Sequence, residues 1–133
     1  MRVRCGTVLV AVLALYADDA VTRQSASPAS GRDTFVAYCA SCHGADGKGD
    51  GPVAPALKVP PSDLTTLSAR NNGRFPELRV YGTIRGDVRV TSHGSAEMPV
   101  WGRVFRQAGG GDTAAAQMRI SNLVAYLKSI QAK

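Results

Sequence analysis

In Cys39-Ala40-Ser41-Cys42-His43 two thiols stand three residues apart, and an imidazole follows the second at once. Three chemistries use these residue types: a dithiol–disulfide redox pair, part of a zinc site, or two thioether anchors beside an iron ligand for haem. A structural zinc site takes four ligands. Beyond this string the chain offers only Cys5, near its start, and a lone His93. Adjacent Cys42 and His43 at a helix end would also diverge rather than close one tetrahedron. A redox dithiol usually opens a helix that follows a strand, because the helix N-terminus lowers the thiol pKa. Here the pair is expected to close a helix, and no βαβ pattern surrounds it. Haem attachment uses all three residues. Cys39 and Cys42, one helical turn apart, each add to a vinyl group of one porphyrin, and His43 ligates the iron, as the C-x-x-C-H string signifies.

A second axial ligand must come from downstream, where Met98, Met118 and His93 are the candidates. Met118 falls in an expected helix, where its ordinary role is a core methionine. Met98 stands in the irregular stretch "SAEMPVWG", where a loop stiffened by Pro99 can present a thioether. Met98 is the expected ligand. His93, five residues earlier, is the alternative, and its ordinary role is a surface loop histidine.

Helices separated by long loops are expected to position these residues. Ser30 offers an N-cap with Asp33 three residues later, and Gly31, Phe35 and Cys39 share one face of a helix running to about Cys42. From Gly44 to Pro61 the glycines and prolines read as loop. Ser62 can cap a short helix carrying Leu64 and Leu67 that stops at Asn71-Asn72-Gly73. Pro76 suits the first turn of the next helix, with Leu78, Tyr81 and Ile84 as its apolar edge and Gly86 as its end. A short helical turn is expected near Val100–Gln107. The clearest element is the last: Ile120, Leu123, Val124, Leu127 and Ile130 repeat at helical spacing behind an Asp112 or Thr113 N-cap. Beyond a doubtful "DVRV" no strand is signalled, so the fold class is all-α.

The N-terminus reads as a targeting segment. Arg2 and Arg4 precede an uncharged, mostly apolar run from Cys5 to Ala17, followed by Asp18-Asp19. That pattern fits a secretory signal peptide over 1–17, cleaved after Ala17 or as late as Ala20. The run is short of the roughly 20 apolar residues that span a bilayer. An uncleaved anchor facing the periplasm is the competing reading. Cleavage would remove Arg2, Arg4 and Cys5, leaving 14 basic against 10 acidic residues and lowering the net charge from +6 to +4. Such a surface favours acidic partners through long-range steering. No basic run or aromatic-interleaved stripe points to nucleic acid. Residues 18–30 read as a small-residue linker. With aromatic residues at only 6%, the remainder is short of its own apolar mass, which a buried cofactor would supply.

Three stretches, "GRDTFVAYCASCHG", "MPVWG" and "LVAYLKSI", together resemble the monohaem cytochromes c of the small bacterial class I type, over residues 31–131. The resemblance implies a small helical domain with long loops wrapped around one covalently attached haem c. It matches Gly31 and Phe35 to a Leu-x-x-aromatic in the last helix, here Leu123 and Tyr126. It also implies that the carbonyl of Pro55, in Pro55-Ala56-Leu57, orients His43, with Pro52 the nearer alternative, and that Trp101 packs against the haem. The added stretch "VPPSDLTTLSARNNGRFPELRV" is similar to cytochrome domains that work beside respiratory oxidases or dehydrogenases. The implied role is periplasmic electron transfer with His/Met ligation and no substrate at the iron, as a carrier or complex subunit and not an enzyme. Its redox partners would carry acidic docking faces, and contact with a membrane would come through a partner complex or an uncleaved N-terminus. The alternative is a ligand-binding or peroxidase-like cytochrome with an open or labile distal site, His93 beside it.

Overall fold

The computed structural model of the chain describes residues 26–87 and 98–132. The expected signal peptide, most of the linker, most of "DVRV", and His93 lie outside these residues. Five α-helices are present among the described residues: α1 (Pro28–Tyr38), α2 (Ala40–His43), α3 (Glu77–Arg85), α4 (Trp101–Ala108) and α5 (Thr113–Ser129). Single 3-10 turns cover Ala54–Ala56, Leu64–Thr66 and Ala69–Asn71, and no strand occurs among the described residues.

The first helix starts one turn before Gly31. Ser27, not Ser30, is its N-cap, and Pro28 occupies the first turn, where its fixed φ and missing N–H cost nothing. Residues 28–30, expected in the linker, thus belong to α1. At the other end α1 stops at Tyr38. Cys39 (φ −116°) closes α1 through its N–H to Phe35 O at 2.8 Å and serves as N-cap of the one-turn α2.

The crossing of α1 and α5 sets the frame. A Cβ on Gly31 would lie 1.9 Å from Asn122 O and 2.8 Å from the Tyr126 Cβ, so only glycine permits this approach. One turn on, fully buried Phe35 meets Tyr126 with ring centroids 5.3 Å apart. The side chain of Asn122 ties the start of α1 down, accepting from Ser27 N at 2.8 Å. In α5 the Asp112 carboxylate caps the N–H groups of Ala114 and Ala115, at 2.8 and 3.1 Å. Of the stripe that the periodicity predicts, Ile120, Leu123, Val124 and Leu127 are buried, while Ile130 is the C-cap and only half-buried.

Two expected elements differ in detail. α3 does start after Pro76 and end at Gly86, but its buried residues are Val80, Gly82 and Ile84, while Leu78 is 89% exposed. Tyr81 is half-buried. The short helix after Ser62 is instead a pair of 3-10 turns. Asp63 is the cap of the first, accepting from Thr65 N at 2.8 Å and Thr65 Oγ1 at 2.6 Å. The expected stop at Asn71–Gly73 is where the second turn ends.

Candidate functional site

A cavity of about 430 Å3 opens between α1–α2, the segment from Leu57 to Asn71, α3, and the start of α4. Cys39, Cys42 and His43 form one wall, with Met98 and Trp101 also lining the space. Phe35, Val80, Ile84, Leu123 and Leu127 supply an apolar floor. Five of the six residues singled out in the sequence are therefore brought to one cavity. Pro55 is not: it lies exposed in the Ala54–Ala56 turn, away from the lining.

The local chain path explains both outcomes. After His43 the chain folds back on α2, and Gly49, Gly51 and Val53 donate N–H groups to the carbonyls of His43 (2.7 Å), Cys42 (3.1 Å) and Ser41 (2.9 Å). These bonds satisfy acceptors that a helix C-terminus leaves open. The reversal begins at Gly44 (φ +79°), where a Cβ would lie 2.0 Å from Asp50 Oδ1. This fold-back carries Pro52 and Pro55 outward. The chain returns through Pro60 and Pro61 and presents a different carbonyl to the imidazole. His43 Nδ1 lies 3.0 Å from Ser62 O, so Ser62 fills the place that the resemblance assigned to Pro55. The bond from Leu64 N to Gly47 O, 2.7 Å, fixes this returning strap against the fold-back loop. The ring itself is 9% exposed.

The electrostatics argue against thiolate chemistry. No disulfide joins Cys39 and Cys42. Burial, with a smaller contribution from neighbouring Cys42, pushes the Cys39 thiol up to about 12. Its place at the N-cap of a one-turn helix does not reverse that. A nucleophilic redox cysteine requires the opposite shift. Nor is there, among the described residues, a group of three or more His, Cys, Asp or Glu side chains placed to share a metal. The raised Cys39 thiol thus speaks against the dithiol reading.

Half-buried Met98 belongs to the same lining, just before Pro99. Met118 sits on α5 outside the lining. Trp101 stacks on Phe105, 5.7 Å between centroids at 23°, and meets the edge of Tyr38 at 5.5 Å. This aromatic group closes the cavity against α4. The residues that sequence reasoning missed are Ser62, read as a helix cap, and two arginines in the wall, Arg70 and Arg79. Only the return of the chain through Pro60–Pro61 brings Ser62 and Arg70 here, and no local pattern marks that return.

The residues fit a flat, mostly apolar group held at two points by sulfur. The thiols, the imidazole and a thioether share a single cavity whose remaining walls are largely hydrocarbon. A family model described as cytochrome C oxidase, cbb3-type, subunit III matches residues 26–127. No curated protein and no solved structure matches the chain.

Proposed function

From the premise that this chain belongs to the family of cbb3-type cytochrome C oxidase subunit III, we propose that it is a periplasmic one-electron carrier domain with His43 and Met98 as axial ligands. Members of this family carry covalently attached haem c and serve electron transfer, as carriers or as subunits of a complex. When bound, haem supplies the ferric/ferrous couple.

The chain's own residues do the rest. Cys39 and Cys42 would hold the group covalently, each through a thioether bond from its sulfur. Ser62 O accepts from His43 Nδ1–H, which fixes the tautomer and leaves Nε2 as the ligating nitrogen. Met98 offers its thioether from the loop before α4, and Pro99 restricts that loop. Trp101, Phe105 and Tyr38 keep water from one side of the cavity. With His43 and Met98 both committed to the iron, the site would leave no position for a substrate, which supports a carrier over an enzyme. The single observation that carries this reading is the convergence of Cys39, Cys42, His43 and Met98 on one cavity.

Export through the Met1–Ala17 segment is part of the proposal, supported by the paired arginines and apolar run. Among the described residues no helix is long and apolar enough to cross a membrane. The positive balance favours a redox partner with an acidic docking face. Carbon monoxide added to the reduced protein tests the ligand set. The expected result is an unchanged spectrum on the mixing timescale. Rapid formation of a carbonyl adduct would instead support the open-site alternative.

A further inference from the structure

The end of α5 is tied to the strap that carries Ser62. α5 closes at Ser129 with Ile130 as its C-cap, and the next side chain, Gln131, is half-buried. Its Nε2 donates to Leu127 O and to Leu64 O, both at 2.7 Å, and its Oε1 accepts from Ser68 N at 2.8 Å. Both amide protons are thereby used, and the reverse orientation of the amide would set its oxygen against two carbonyls. The bond to Leu127 O satisfies an acceptor that a helix C-terminus leaves open. The other two reach back 67 and 63 residues along the chain, to the Leu64–Thr66 turn and the start of the Ala69–Asn71 turn. Ala132 N adds a bond to Thr65 O at 2.8 Å.

The anchored residues follow closely on Ser62, whose carbonyl lies 3.0 Å from His43 Nδ1. Before Ser62, Pro60 and Pro61 have no N–H to donate. After it, Leu64 N donates to Gly47 O at 2.7 Å, and Leu64 O accepts from Gln131. Leu64 is thus held through both its backbone polar groups, two residues from the carbonyl that faces the imidazole. The side chains of Ile130 and Leu64 also converge on the fold-back loop. A Cβ on Gly47 would lie 3.1 Å from Ile130 Cδ1 and 3.7 Å from Leu64 Cβ.

We propose that Gln131 is a positioning residue for the iron ligand: by clasping the turns at 64–68 to the end of α5, it holds the Ser62 carbonyl against His43 and so sets the donor strength of the imidazole. This rests on His43 ligating haem iron, but not on the identity of the second axial ligand. A firm Nδ1–H···O bond makes a ligated imidazole a stronger donor, which favours the ferric state and lowers the potential. Releasing the clasp should therefore raise the potential and free the Nδ1–H to exchange with solvent. Mere loosening of the cavity acts the other way, because water let in favours the more highly charged ferric centre. The sign of the change separates the two.

The test uses haem-loaded protein, with haem content measured first. Gln131→Met keeps an unbranched, neutral side chain but loses all three bonds, and Ala132→Pro deletes the donor to Thr65 O. Gly31→Ala is the control, weakening the fold through the α1–α5 crossing and not through the strap. Midpoint potential and exchange of the His43 Nδ1–H, followed by NMR of the reduced protein, are read at one neutral pH. We expect Gln131→Met to raise the potential and to speed exchange by about tenfold, the scale of a lost hydrogen bond. Ala132→Pro should change both in the same direction by less, and Gly31→Ala should melt lower without a raised potential. A potential and exchange rate equal to wild type in Gln131→Met would overturn the proposal, as would a lowered potential there or a rise of the same size in Gly31→Ala. A wild-type chain purified without covalent haem would instead overturn the haem reading itself. If Gln131→Met does not accumulate, native-state exchange of wild type in rising denaturant decides. The N–H groups of Ser68 and Ala132 and the His43 Nδ1–H should then lose protection together. An Nδ1–H that stays protected after Ser68 and Ala132 have opened contradicts the clasp.

Discussion

The carboxylate of Asp63 receives both the N–H and the hydroxyl of Thr65, at 2.8 and 2.6 Å, in the turn just after the carbonyl that faces His43. The Thr65 hydroxyl bond is the main cause that holds this carboxyl below its ordinary range, with its N–H, Arg70 and Lys48 adding to it against a desolvation that works the other way. A carboxyl lowered in the folded state stabilises the fold above its unfolded pKa, and that contribution is lost as pH falls toward the folded value. Asp63→Ala should therefore lower the stability of the loaded protein at pH 7 by about 1 kcal/mol, the usual value of such a cap. The gap to wild type should narrow as the pH drops through the carboxylate range, as read from denaturant midpoints at several pH values. At the same scale, Pro55 illustrates what a short pattern conceals. Pro55-Ala56-Leu57 and Ser62-Asp63-Leu64 both place a leucine two residues after a carbonyl that could meet the ring. Which one does so depends on the backbone bonds from Gly49, Gly51 and Val53 to α2, a fold-back that spacing alone does not reveal.

Among the elements, the α1–α5 crossing has the least slack. With Asn122 O 1.9 Å from the place of a Gly31 Cβ, the helices must separate to admit a methyl group. Gly31→Ala should destabilise the loaded domain by about 1–3 kcal/mol, a loss measurable as a lower melting temperature while the attachment residues stay in place. This crossing was legible beforehand through the resemblance, which matches Gly31 and Phe35 to Leu123 and Tyr126; helical spacing alone gives the two faces but not their contact. α3 was legible only in its limits. Leu78-Tyr81-Ile84 and Val80-Ile84 are both acceptable helical stripes, and packing against α5 and the cavity selects the second, leaving Leu78 in solvent. The one-turn α2 was hidden inside a longer expected helix, since nothing in the local sequence signals the break at Cys39.

Across the whole molecule the core is thin. Nine apolar side chains are buried among the described residues, and five of them, Phe35, Val80, Ile84, Leu123 and Leu127, also form the cavity wall. An occupant that covers those five is part of the core as much as it is a redox centre. The Cys39→Ala/Cys42→Ala double variant, unable to retain haem covalently, should accordingly be largely unfolded. A cooperative thermal transition with dispersed amide signals in that variant would show that the apolar walls pack without the cofactor. The central claim, that protein ligands fill both axial positions with His43 on one side and Met98 on the other, is tested most directly by the far-red spectrum of the ferric protein. The account predicts a weak sulfur-to-iron charge-transfer band in wild type that disappears in Met98→Ala. A band that persists in Met98→Ala, or one missing from wild type, would contradict it.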